Sequence, residues 1–105
     1  MMFKGTEWSD FTAGTDSGAT ATQAAATGKQ HFVTGIYGFV DADSALSVKA
    51  GSSVVAEWAI DVSVDGGNFS YTGLMIPITP GSAANGVLAA SSADCGVTLQ
   101  GFTIP

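Results

Sequence analysis

The sequence predicts an all-β domain, an antiparallel β-sandwich of jelly-roll-like form with seven to eight short strands, and three observations carry that reading. The stretch "VVAEWAIDVSV" alternates apolar and polar side chains with a period of two, as a strand with one buried face does. Turn-forming clusters, "DADSA", "DGGN" and "TPGSAANG", separate the short strand-like runs, as in β-sandwiches. No segment repeats its apolar residues at the 3.6-residue period of a helix.

Taken in order, residues 1–18, "MMFKGTEWSDFTAGTDSG", show no sustained period and are rich in Gly, Ser, Thr and Asp, with Phe3, Trp8 and Phe11 as large anchors. They are read as an N-terminal arm, leaving residues 19–105 as the sandwich domain. Such an arm either orders when its aromatics find a groove on a partner or folds back to cap its own core. "ATATQAAAT" (residues 19–27) is read as a strand despite the helix preference of alanine, because tertiary context overrides weak propensity. "HFVTGIYGFV" is β-branched and aromatic. A strict period of two puts Phe32, Thr34, Ile36, Gly38 and Val40 on one side, and His31, Val33, Gly35, Tyr37 and Phe39 on the other. Apolar groups on both sides indicate a strand covered on both faces.

"LSVKA" is a short strand. The following run places Val54, Ala56, Trp58, Ile60, Val62 and Val64 inward, against a mostly polar outward set of Val55, Glu57, Ala59, Asp61, Ser63 and Asp65. "DGGN" then reads as a hairpin loop into "FSYTGLMIPI", where Pro77 marks an edge, a bulge or a strand end. Pro80-Gly81 suits a tight turn, "VLAAS" a strand and "GVTLQGFTI" the last strand, with a bulge expected at Gly101 to reconcile its two halves.

With 105 residues the chain is one domain, and only 11% of them are charged, well under the roughly 25% usual in soluble domains. A surface so poor in charge is coated in small polar residues, hidden against a partner, or both. Three lysines and no arginine against nine acids give a net charge of -6. Phosphate neutralisation needs clustered cations, so nucleic acid and anionic membrane are excluded as partners. "MMFKGTEWSDF" has no apolar stretch of signal-peptide kind, and no run reaches the ~18 apolar residues of a membrane span.

Chemistry has little to rest on, and the chain is read as neither an enzyme nor a cofactor or metal binder. Cys95 is single, which excludes an internal disulfide, and it reads as a small buried hydrophobe. Glu57 and Asp61 on one strand would stand ~13 Å apart, too far for a glycosidase pair. Asp41 and Asp43 form turns rather than a calcium loop, which would continue to a bidentate Glu. His31 has no nucleophile elbow or zinc partners near it and is read as making a structural hydrogen bond or joining an interface. Trp58, on the apolar face of its strand, is read as core.

The layout of "GKQHFVTGIYGFV", "LSVKAGSSVVAEWAIDV" and "GLMIPITPGSAANGVLAASSADCGVTLQGFTI", over residues 28–105, resembles the small jelly-roll decoration (cement) proteins of tailed bacteriophages. These trimerise like tumour-necrosis-factor domains and sit on the outer capsid. The resemblance implies a homotrimeric virion protein, made in the host cytoplasm, that binds the major capsid protein and stabilises the head. It implies Phe3, Trp8 and Phe11 as capsid contacts, and Phe32, Ile36, Tyr37 and Phe39 as residues divided between core and trimer seam. The rival reading, on the same trimeric sandwich, is a receptor- or glycan-binding tip module of a tail fibre.

Overall fold

A computed structural model describes residues 5–15, 18–65, 67–89 and 94–105. The chain forms two antiparallel sheets packed face to face. One contains β1 (Thr6–Thr15), β9 (Asp94–Ile104), β3 (Gln30–Val40) and β6 (Asn68–Tyr71) in that order, with the two-residue β7 (Ile76–Pro77) also on β3. The other contains β2 (Ala19–Gln23), β8 (Ala84–Ala89), β4 (Ser44–Ala50) and β5 (Ser53–Ile60) in that order. The expected β-sandwich is thus observed, and its pairs nest: β1 with β9, β2 with β8, β3 with β6, β4 with β5.

Inward side chains of both sheets make one core, led by Val33, Ile36, Val97 and Leu99 from the first and Leu46, Val48, Ile60 and Leu88 from the second. Gly86 of β8 lets the sheets close: a β-carbon on it would lie 2.9 Å from Ile36 Cδ1 and 3.1 Å from Leu99 Cδ1. At one open edge, Trp58 of β5 stacks on Tyr71 of β6 with centroids 4.8 Å apart, so the tryptophan packs between the sheets as expected. At the other, Asp10 Oδ2 of β1 accepts the backbone N–H of Thr22 in β2 (3.0 Å), tying the two edge strands together.

Several expectations are corrected in detail. Residues 6–15 of the segment read as an arm are a full ten-residue strand along β9. The chain from Val54 does not run as a strand to Val64. It leaves the sheet after Ile60 and makes one helical turn, Val62–Asp65, because carboxylates seize its free N–H groups: Asp43 Oδ1 takes that of Val62 and Asp61 Oδ1 that of Ser63, both at 3.0 Å. "DGGN" is therefore no hairpin. It carries the chain from one sheet to the other, with Gly67 at φ 86° and its carbonyl accepting Val40 N–H. "FSYTGLMIPI" likewise splits into β6 and β7 around Gly73 (φ 69°).

The bulge lies opposite Gly101 rather than on it. Val33 pairs with Gly101 and Gly35 with Gln100, so Thr34 is the extra residue, and β9 runs unbroken. One inserted residue exchanges the faces of everything beyond it. Before the bulge His31 and Val33 point inward; after it Ile36 and Val40 do, while Tyr37 and Phe39 join Phe32 on the outside. The remaining turn is as expected: Ser82 N–H bonds Thr79 O (2.9 Å) across Pro80-Gly81, with Gly81 at φ 81°.

Candidate interaction surface

Directly paired residues in a sheet share a face, so the register gives the outer surface of the β1-β9-β3-β6 sheet row by row. One row is Phe11, Thr98, Tyr37 and Ser70; the next is Ala13, Gly96, Phe39 and Asn68. A third, beyond the bulge, is Glu7, Phe102, Phe32 and Pro77. Phe11 is 58%, Phe39 44% and Tyr37 38% exposed, high values for rings that lie on the same sheet face. Phe32 and Phe102 stack on each other at 5.1 Å and stay half-buried, with exposed Met75 lining the same shallow depression as Phe102.

The opposite sheet shows water a different surface. One outer row runs Thr20, Val87, Ser47 and Glu57 and the next Thr22, Asn85, Lys49 and Val54, with Val54 exposed rather than inward as expected, and Thr22 Oγ1 donates to Asn85 Oδ1 at 2.8 Å. Outward aromatic rings are thus confined to one sheet, while the described outer rows of the other carry polar, charged and small aliphatic groups. Asp41, Asp43, Asp61 and Asp94 gather at the end of the sandwich where β3 finishes and β9 begins, Asp94 pairing with Thr15 in the end row on the side of Ala13 and Phe11. Asp41 and Asp43 act as turn fasteners: Asp41 Oδ1 accepts Asp94 N–H (3.1 Å), and Asp43 holds the helical turn. Among the described residues no group of three or more His, Cys, Asp or Glu side chains could hold a metal ion.

Of the three aromatics expected to contact a capsid, Phe3 lies outside the described residues and Phe11 is on the aromatic face. Trp8 points the other way. Its indole N–H donates to Thr103 Oγ1 (3.0 Å), and its ring meets His31 edge-on with centroids 5.8 Å apart. Of the four expected to divide between core and seam, Ile36 has no exposed surface and belongs wholly to the core. Phe32, Tyr37 and Phe39 share the outer face.

His31 is 2% exposed and fully bonded. Its Nε2 lies 2.7 Å from Ala24 O, which can only accept, so Nε2 carries a proton, and Nδ1 pairs with the Thr103 hydroxyl at 2.6 Å. The result is a hydrogen-bonded chain from Trp8 N–H through Thr103 and His31 to a carbonyl, joining β1, β9 and β3. A cleft of about 520 Å³ opens beside it, between Gln23, Lys29 and Ile104. The polar core of that cleft is already satisfied from within, which matches the structural hydrogen bond expected of His31. Cys95 is buried, with its thiol directed at Gly14 O (3.7 Å). Burial, with Asp41 and Asp94 adding negative charge nearby, pushes that thiol above its ordinary 9.0.

The class this fold and surface define is an antiparallel two-sheet β-sandwich with one aromatic outer face. No family model matches the chain, and no curated protein matches it.

Proposed function

We propose that the chain is a jelly-roll structural protein of a tailed-phage virion, a homotrimeric decoration protein that binds the major capsid protein on the outside of the head and stabilises it. The observation that carries this reading is the aromatic face of the β1-β9-β3-β6 sheet, set against an outer face on the other sheet whose described rows hold no aromatic side chain. A domain with so little charge elsewhere keeps such a surface when another protein covers it. The nested strand pairs, and the likeness of residues 28–105 to small decoration proteins, point the same way. Phe32, Tyr37 and Phe39 then belong to the subunit seam. Phe11, expected as a capsid contact, shares that face and is assigned to the seam as well, while Trp8 serves its own fold.

The mechanism is mass action. A trimer bridging neighbouring capsid subunits, and binding only the expanded shell, stabilises that state by the free energy of its own binding. The test is gold-labelled antibody against the chain on intact virions of the phage that encodes it. Label over the head surface supports decoration, label at the tail tip turns the reading to a receptor- or glycan-binding module, and unlabelled virions overturn both.

A further inference from the structure

We propose that the cleft beside Trp8 is a binding site for a carboxylate-bearing sugar, with the sugar ring against the indole and its carboxylate turned to Lys29. The site goes beyond the virion reading and does not depend on it. None of the exposed rings Phe11, Tyr37 and Phe39 lines this cleft, so it stays open when the aromatic face is covered.

The cleft lies at the end of the sandwich where β3 begins and β9 finishes, opposite the end that gathers the four aspartates. Hydrogen bonds fix its wall. β2 ends at Gln23, and the chain then turns toward β3 with Gly28 at φ 76° and Lys29 N–H bonded to Ala26 O (3.1 Å). Lys29 O accepts Gly81 N–H at 2.9 Å, and His31 Nε2 lies 2.7 Å from Ala24 O, so the turn is pinned on both sides. Trp8 is held as firmly, by its N–H on Thr103 and its edge-on contact with His31. An aromatic ring already locked in place loses little freedom when a ligand covers it.

Because His31 and Thr103 are bonded to each other, recognition falls to the other lining groups. Lys29 is the one charged side chain among the described lining residues, and no Asp or Glu lines the cleft although the chain carries a net charge of -6. Lys29 makes no ion pair among the described residues, so its ammonium can meet an anion. Gln23 is half-buried, and its side-chain amide, without a partner among the described residues, can both donate and accept. Thr6 adds a hydroxyl of the same dual kind, and sugar hydroxyls match both. Trp8 and Ile104 supply apolar surface, and the slightly positive C–H face of a sugar suits the negative face of an indole. A purely aliphatic acid leaves Gln23 and Thr6 unanswered, and a neutral sugar leaves Lys29 unanswered. The volume of about 520 Å³ lies within the roughly 300–1,000 Å³ of small-molecule sites.

Titration of the full chain with glucuronate, followed by heteronuclear NMR, tests the site. The Trp8 indole N–H and the backbone amides of Gln23, Lys29 and Ile104 shift together and saturate, while those of Tyr37 and Phe39 stay in place. Glucose, a similar ring without the carboxylate, binds about fivefold more weakly, and Lys29→Gln lowers glucuronate to that level, as the loss of an exposed ion pair does. Gln23→Leu weakens both sugars alike, and the spectra of both variants report that they remain folded. No saturable shift with glucuronate, equal binding of glucose, or unchanged binding in Lys29→Gln overturns the site. Acetate that reproduces the same shifts at the same concentration shows an adventitious ion only and overturns it as well. All of these outcomes are read on the isolated chain, so they are separate from the gold label: unlabelled virions overturn the virion reading and leave the sugar site standing, and an empty cleft leaves the virion reading untouched.

Discussion

Phe11 of β1 and Phe39 of β3 meet above Gly96 of the strand between them: a β-carbon on Gly96 would stand 2.9 Å from Phe11 Cε1 and 2.6 Å from Phe39 Cε1. The two rings thus reach over a strand with no side chain of its own at that point. Gly96→Ala would lift both. The obstructing atoms are the far ends of exposed rings, so the fold adapts and stability changes by less than about 1 kcal/mol in urea titration. The reshaped face fits its partner worse, and the trimer weakens by about tenfold or more, read by sedimentation equilibrium. A variant as tightly associated as the wild type shows that the ring pair is not at the seam.

Gly86 makes the opposite case, since its missing side chain is filled by the core of the facing sheet. Ile36 Cδ1 and Leu99 Cδ1 occupy the space a β-carbon needs, in a region with no exposed surface. Gly86→Ala overpacks the sandwich and costs about 1–3 kcal/mol. Ile36→Val removes the methyl that collides, so the double variant is less destabilised than the sum of the singles. Denaturant midpoints of the four proteins give the coupling, and strict additivity shows that the two residues do not compete for the same volume.

These two glycines show how far the sequence could be read. The alternation in "VVAEWAI" and "GVTLQGFTI" marked strands because a period of two is a local property, and burial on one face writes it directly into composition. The chain end beyond Ile60 misled because "DVSV" continues the alternation. What stops the strand is Asp43, nineteen residues away in sequence from the Val62 N–H it accepts. The aromatic face was half legible. Phe32, Tyr37 and Phe39 were visible as candidates, but a strict alternation sorts Phe32 apart from the other two. Only the bulge at Thr34, fixed by pairing with a strand some sixty-six residues on, returns them to one side. Thr103 gave no signal at all, because its partners Trp8 and His31 are ninety-five and seventy-two residues distant.

Thr103 is accordingly a sharp test of the chain it completes. Thr103→Val keeps the shape but leaves His31 Nδ1 without its hydroxyl partner and the Trp8 N–H without an acceptor. Leaving buried groups unpaired costs about 1–3 kcal/mol, and Thr103→Ser restores most of it because the hydroxyl is what matters. Trp8 sits on an edge strand, so the loss also loosens β1, and amide exchange along residues 6–15 accelerates more than in β3. Equal stability of the valine and serine variants shows that the threonine methyl, not its hydroxyl, is the contributing group.

Cys95 gives a pH dependence whose sign follows from its burial. The folded thiol titrates above 9.0, first because burial disfavours the thiolate and then because Asp41 and Asp94 add negative charge nearby. The folded state therefore holds its proton more tightly than the unfolded state does. The thiol's contribution is fully present below the unfolded value near 9.0 and is lost as pH rises through the folded one. Urea midpoints fall above that pH in the wild type and fall less steeply in Cys95→Ala, after allowance for the cavity that variant creates. The same burial makes the native thiol slow toward a disulfide reagent at neutral pH, and denaturing urea exposes it to rapid labelling. Rapid labelling of the native protein would place the thiol at the surface and remove the basis for the alkaline loss of stability.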